Sequence, residues 1–313
     1  MSTRGGVMVA PRTTERLLRG YVSEGRGFGH GEDYRAWIQL RRWNASPVSV
    51  QTFGSLPPFQ RSASFLSRSE WLLALVLSWV GCHVREQIPL WPWAHMHPLY
   101  GRWNTRDKAL PRSSGTRELC RRAGISHGTF LGTSIPYIWT LDLCATLAWL
   151  PPEQQTCALV SVKPLNGELY TGDIDPIARG PEKLEVERLY ALELNLPYFL
   201  ADRHIYPGAL LGNLEWLSNA AMVPADHLVT VTLPQFLQSH GHELHRCPPS
   251  EWRQRFQADF GLSIEDADLA VQYIIWHQYV DVDLSRDLNF DVIARPGGQR
   301  LRHAIRENLR AVK

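Results

Sequence analysis

Three positions in this chain carry residue types that could act together on a phosphodiester. Glu70 opens a long apolar stretch, Asp142 lies inside the run Thr140–Leu147, and Lys163 closes Ser161-Val162-Lys163 at the end of the next apolar run. Asp142 is the least comfortable of these to explain as packing. Apolar residues flank it on both sides, and a buried carboxylate needs a partner. A divalent cation would supply one, and phosphodiester hydrolysis needs such an ion. Negative oxygens shield the phosphorus, and the ion neutralises that charge and lowers the pKa of the attacking water. Mg²⁺ is hard and keeps several waters, so two carboxylates and a backbone oxygen can complete its shell with the substrate phosphate. The expected ligands are therefore Glu70, Asp142 and the backbone of Val162, for one or two ions, with Mn²⁺ as a substitute. Lys163 beside them would position the water and stabilise transition-state charge. Each residue also has a plainer reading. A glutamate in a first turn complements the helix dipole, an aspartate at a strand end caps a turn, and a lysine after a strand is usually a solvated terminus.

The elements that must position these groups are legible as an alternation of helix and strand. Ser67–Trp79 is apolar on almost every face, with Ser67 or Ser69 as N-cap, and predicts a buried helix. Cys82–Pro92 predicts a strand, 93–115 a loop, and Thr116–Gly124 a short helix. Tyr137–Leu147 and Thr156–Val162 predict two strands joined by a Pro-Pro turn. Pro181 opens a helix with acids early and apolar residues at helical spacing. Tyr198–Ala201 is a short strand, and Asn213–Ala220 a short helix. This is the order of a small α/β core. After Ala221–Asp226 the character changes to helical stretches at 232–239, 249–260 and 264–277, followed by Tyr279–Ala294, which reads as a β wing. The expected organisation is a basic, partly irregular arm over 1–60, a catalytic unit over 61–222 with an insertion at about 91–115, and a mainly helical, winged-helix-like unit over 223–313.

Bulk properties narrow the class. Apolar residues are 44% of the 313, charged residues 20%, and the formal net charge is +2, an ordinary globular mix without a global polyanion signal. Charge is locally uneven: residues 102–122 hold seven Arg or Lys against two acids, and the tail from Arg295 holds six against one. Such patches suit phosphate contacts, or simply a solvated face. The five cysteines are widely spaced with no CxxC, which fits reduced thiols in the cytoplasm and argues against a disulfide framework or a Cys-type zinc site. Trp71–Gly81 is too short to span a bilayer, and scattered charges in Met1–Arg42 do not read as a signal peptide.

Beyond spacing, a series of motifs resembles one family. Arg85-Glu86-Gln87, Gly124-Ile125-Ser126-His127, Thr140-Leu141-Asp142-Leu143, Val162-Lys163-Pro164, Glu182-Lys183-Leu184-Glu185-Val186-Glu187 and Asn213-Leu214-Glu215-Trp216-Leu217 follow in the order seen in TnsA proteins. These are the endonuclease subunits of heteromeric, Tn-seven-like transposases. The resemblance covers about residues 61–220. It implies a restriction-endonuclease-like mixed-sheet core that binds Mg²⁺, and cleavage of the 5′ ends of a transposon on the strand that a TnsB-like partner leaves uncut. It places the metal-binding acids at Glu70 and Asp142 and the catalytic lysine at Lys163. It further implies transposon-end DNA and a TnsC-like AAA+ ATPase as partners, the latter through the C-terminal unit, with a target-selector protein or CRISPR-guided complex open as a further one. Ser161 stands where the family often has Gln, so it would act through water or leave one metal position poor. A stand-alone restriction or repair-type nuclease, or a non-catalytic DNA-binding assembly factor, are the rival readings.

The remaining candidates are weaker. Glu182 and Glu185 share a helical face and could support the site from behind, with Glu187 off to the side. Arg85, Arg102, Arg106, Lys108, Arg112 and His127 are candidate DNA contacts; Arg85 could instead pair with Glu86, and Glu86-Gln87 reads as structural. His240–His245 lacks metal-ligand spacing and reads as a polar loop.

Overall fold

The computed structural model describes residues 13–40, 51–103, 105–163 and 180–311. Pro164, the last residue of the Val-Lys-Pro motif, lies outside them.

The described residues begin with α1 (Glu15–Ser23), and a hairpin is formed by β1 (Thr52–Ser55) and β2 (Ser62–Phe65). The expected buried helix follows as α2 (Arg68–Trp79). Ser67 caps it, its hydroxyl accepting from the Glu70 amide, and every residue from Glu70 to Trp79 is buried. Gly81, at φ 94°, then reverses the chain, a left-handed conformation that glycine adopts without steric cost. The sheet is built from β3 (Cys82–Leu90), β4 (Trp139–Leu147), β5 (Cys157–Val162) and β6 (Tyr198–Ala201), in that spatial order. The first three run as an antiparallel meander, and β6 joins β5 in parallel. A parallel neighbour needs a crossover, which includes α4 (Gly180–Glu193). Helix α3 (Thr116–Ala123) lies against α4. The architecture is a mixed α/β fold around a mixed sheet.

Both sheet faces are covered. Leu143, Ala145, Ala158, Val160 and Val162 pack with α2 and with α5 (Gly208–Leu217), whereas Leu141, Cys144, Cys157 and Leu159 pack with Val186, Tyr190 and Ala191 of α4. Alternation in a strand should keep residues two apart on one face, yet it breaks at one level of the sheet. Val84 joins the α2 side and Ile88 the α4 side; on β4, Leu143 and Leu141 part in the same way. Between Val84 and Ile88 on β3, Gln87 has a left-handed φ of 50°. The residue between on β4 is Asp142.

The arm is not detached. Tyr34, Ala36 and Trp37 are buried, and the Tyr34 hydroxyl donates to the Glu86 carbonyl at 2.6 Å.

Toward the C-terminus come α6 (Leu228–His240), α7 (Pro249–Phe260), α8 (Ile264–His277) and α9 (Gly298–Ala311). The expected β wing does not form: residues 279–297 contain no strand. Val280, Val282 and Leu284 are buried as their alternation suggests, but local side chains capture the backbone that a ladder would need. Asp283 accepts from the amide and hydroxyl of Ser285, and Asn289 accepts from the Asp291 amide, a competition typical of Asp and Asn. The basic tail becomes α9, with Ile305 and Leu309 buried. Two of its arginines serve the fold: Arg306 donates to the Val80 carbonyl at 2.7 Å and Arg302 to that of His277 at 3.2 Å. One apolar cluster therefore joins α2, the sheet, α5 and α7–α9 across the expected boundary at residue 222.

No helix among the described residues is long and apolar enough to cross a membrane.

Candidate active site

Glu70 and Asp142 come from different elements and meet at the level where the sheet changes faces. Each is 5% exposed. Glu70 is held from three directions. Its Oε2 accepts from the Leu66 amide at 3.1 Å and from Gln87 Nε2 at 3.0 Å, and its Oε1 accepts from the Ser67 hydroxyl at 3.1 Å. Asp142 Oδ2 accepts from the Val162 amide and from Lys163 Nζ, both at 2.7 Å. The same ammonium donates to the Val162 carbonyl at 2.9 Å. Burial, and then the charge of Asp142, push the Glu70 carboxyl up to about 7. A buried carboxyl raised by a neighbouring carboxylate is a common functional-site signature.

Ser161 has a different environment. Its side chain is fully buried and turned to α4, where its hydroxyl donates to Glu187 Oε2. The Tyr198 hydroxyl donates to the same carboxylate at 3.0 Å and to Ser161 Oγ at 3.1 Å, and Lys183 Nζ is 3.4 Å from Glu187 Oε1. Burial disfavours the Lys183 charge, but Glu187 and Asp142 outweigh it and raise this ammonium's pKa. A second charged cluster thus backs the strand that carries Lys163. Its acid is Glu187, 1% exposed, and not Glu185, which pairs with Arg188 in solvent. Glu182 is half-buried at the helix start.

The basic candidates divide three ways. Arg85 is 5% exposed and points to the α4 side, donating to the Pro98 carbonyl at 2.7 Å and to Cys144 Sγ at 3.4 Å. It neither reaches solvent nor pairs with Glu86, which is gripped by Arg61 at 2.6 and 2.8 Å. Arg102 and Arg106 brace the 91–115 loop, through His83 and Gln155 and through the Pro152 carbonyl. Lys108 and Arg112 are exposed. Arg112 lines a cavity of about 570 Å³ with Phe28, Trp91, Trp93 and Tyr100. His127 is half-buried, 2.9 Å from the Thr116 hydroxyl, with its ring centroid 5.0 Å from that of Trp139.

Two residues belong to this site that the sequence pattern does not single out. Glu187 shares a buried face with Lys183 and Ala191, four residues to either side, a signal that a wheel anchored on Ala191 and Leu194 would have given. Gln87 is a mid-strand residue whose left-handed backbone turns its side chain toward Glu70, and nothing local announces that.

Could these residues hold a cation? Among the described residues no three His, Cys, Asp or Glu side chains converge as a metal cluster. The donors are oxygens: two carboxylates, the Val162 carbonyl and the Gln87 amide oxygen, which is buried without a hydrogen-bond partner. A set so sparse and hard suits Mg²⁺, which retains waters and takes substrate phosphate. The Lys163 ammonium already bridges two of these oxygens, Asp142 Oδ2 and Val162 O, so the geometry accommodates positive charge there.

No protein-family profile matches the chain. Against curated proteins, it is similar to the transposon Tn7 transposition protein TnsA of Escherichia coli, 28% identical over 228 residues, 71% of this chain and 70% of that protein. The similarity supports a TnsA-like family. The mixed sheet and its flanking helices are consistent with that reading.

Proposed function

We propose that this chain is the DNA-cleaving subunit of a two-protein transposase, a Mg²⁺-dependent endonuclease that cuts the 5′ ends of a transposon. The observation that carries the reading is the meeting of Glu70, Asp142 and Lys163 at one buried point in a chain similar to TnsA. Glu70, Asp142 and the Val162 carbonyl would hold the ion, and Mn²⁺ would serve in its place. When bound, the ion supplies charge neutralisation at the phosphate and a more acidic attacking water. The protein's own part is positional. Leu66, Ser67 and Gln87 fix the Glu70 carboxylate, and the Val162 amide fixes that of Asp142. Lys163 is placed to orient the water and to face the charge that grows on the phosphate. Glu187, through Ser161 and Tyr198, holds the end of β5 that carries Lys163.

The partners proposed are transposon-end DNA, a TnsB-like transposase that cuts the other strand, and a TnsC-like AAA+ ATPase docking on the helical C-terminal region. A target-selector protein or CRISPR-guided complex would complete the assembly. Strand-resolved cleavage of an end duplex, with the partner transposase present, tests the reading. The wild type should cut the 5′ strand, and Asp142→Ala should abolish that cut while leaving the thermal transition cooperative. A fully active Asp142→Ala would sink the assignment. Efficient cutting of naked DNA without any partner would favour a stand-alone nuclease.

A further inference from the structure

Gln87 is fully buried partway along the edge strand β3, and its side chain is only half satisfied. Its Nε2 donates to Glu70 Oε2 at 3.0 Å, while its Oε1 has no hydrogen-bond partner. With Glu70 ionised, as at pH 8, the orientation of the amide follows, because the nitrogen is its donor to a carboxylate. The oxygen therefore projects from the same carbon, next to the Glu70 carboxylate. In the β3–β4 register, Glu86 opposes Leu143 and Ile88 opposes Leu141, which leaves Gln87 facing Asp142. The residue also adopts φ 50°, a conformation that costs a non-glycine residue about 1–3 kcal/mol and persists where surrounding structure imposes it. Nε of Arg61 and of Arg85 and Oε1 of Glu187 are also buried without a hydrogen-bond partner, but among these atoms it is the Gln87 oxygen that projects beside Glu70 and Asp142. Glu86, equally buried, has both carboxylate oxygens bonded to Arg61.

A buried amide oxygen without a partner normally loses about 1–3 kcal/mol. Leucine would fill a buried strand position without that loss. An oxygen kept there, beside two carboxylates, needs a positive or donating group that arrives later. We infer that Gln87 is a further oxygen donor of the cation site: its Nε2 aligns Glu70, and its Oε1 receives the ion or a water bound to it. This rests on the proposed cation-dependent function and extends it to a residue outside the two carboxylates and the lysine.

The test is calorimetric titration of Mn²⁺ into the full chain at pH 8, together with the rise in unfolding temperature that Mn²⁺ causes. Wild type, Gln87→Leu, Gln87→Asn and Asp142→Ala are compared, each with transposon-end duplex present. Wild type should bind and Asp142→Ala should not. Gln87→Leu should bind at least about tenfold more weakly, the usual cost of losing a supporting group at a metal site, and its Mn²⁺-induced rise should shrink. A merely structural glutamine would lower the unfolding temperature equally with and without Mn²⁺. Gln87→Asn withdraws the oxygen by one methylene and keeps a polar group, so it decides the matter if Gln87→Leu does not fold: weaker binding supports the inference, unchanged affinity overturns it. Wild-type affinity in Gln87→Leu, with binding lost in Asp142→Ala, would overturn the role of Gln87 alone. No binding by the wild type would remove the cation reading itself, and this inference with it.

Discussion

The ammonium of Lys163 lies 2.7 Å from Asp142 Oδ2 and 2.9 Å from the carbonyl oxygen of its own neighbour, Val162. It thus occupies the gap between two oxygens proposed to hold the metal. A lysine so placed partly neutralises the aspartate until another cation arrives. Its side chain is 25% exposed and that of Asp142 7%, so the pair is reachable from solvent at the lysine end.

Replacing Lys163 should separate its two contributions. Lys163→Ala should reduce cleavage by about a hundredfold or more, the loss expected when a group aimed at transition-state charge is removed. It should leave Mn²⁺ binding intact or tighter, because the ammonium no longer competes for Asp142. Nicking rates and Mn²⁺ titration on the same preparation check both halves.

Glu70 gives a pH dependence with a definite sign. Burial and Asp142 raise its carboxyl to about 7 in the folded chain, against roughly 4.3 for an unperturbed glutamate. The folded state then binds that proton more tightly than the unfolded state between those two values. Its contribution to stability falls as pH climbs through that window and stays lowered above it. The half-buried His30 and the buried His97 have pKa values lowered to about 4 by burial and by Arg85 and act in the opposite sense. The readout is therefore the difference between wild type and Glu70→Gln in urea unfolding from pH 5 to 8.5. The variant should gain stability relative to the wild type as pH rises, and Mn²⁺ should restore the wild type at the alkaline end.

The helix α4 contains a paired test. Glu187→Gln breaks the bonds to Ser161 and Tyr198 as charge-assisted contacts and leaves Lys183 without its buried counter-ion. It should destabilise the fold by about 1–3 kcal/mol and lower cleavage by shifting the end of β5. Glu185→Gln removes only a surface ion pair with Arg188 and should stay within about 0.5 kcal/mol of wild type. Chemical denaturation of both variants decides it.

DNA affinity should follow exposure and not arginine count. Lys108→Ala with Arg112→Ala should weaken end-duplex binding and reduce the salt slope by about 2, one for each phosphate that no longer meets a cation. Arg106→Ala, whose guanidinium is bonded to the Pro152 carbonyl, should lower the unfolding temperature with the salt slope unchanged.

How much of this was visible in the sequence depends on whether the signal was local. The α2 cap, the apolar runs of β4 and β5, and the acids within them are contiguous patterns, so the elements carrying Glu70, Asp142 and Lys163 could be read in order. Gln87 could not, because its role comes from a left-handed backbone in mid-strand and from a helix seventeen residues earlier. Arg85 looked like a phosphate contact only because the loop carbonyl of Pro98 that receives it was unknown. Tyr279–Ala294 reads as a wing, but the burial of Val280, Val282 and Leu284 does not by itself provide a partner strand. The tail from Arg295 looked like a charge patch, yet Leu301, Ile305 and Leu309 recur at helical spacing and dock α9 on the core.

The measurement that bears most directly on the cation site is anomalous scattering from crystals of the chain bound to a transposon-end duplex and soaked in Mn²⁺. The account predicts a peak within coordination distance of the Glu70 and Asp142 carboxylates, with the Lys163 ammonium moved off Asp142 Oδ2. Well-ordered density with no peak there, and Lys163 still bonded to Asp142 against the scissile phosphate, would contradict it.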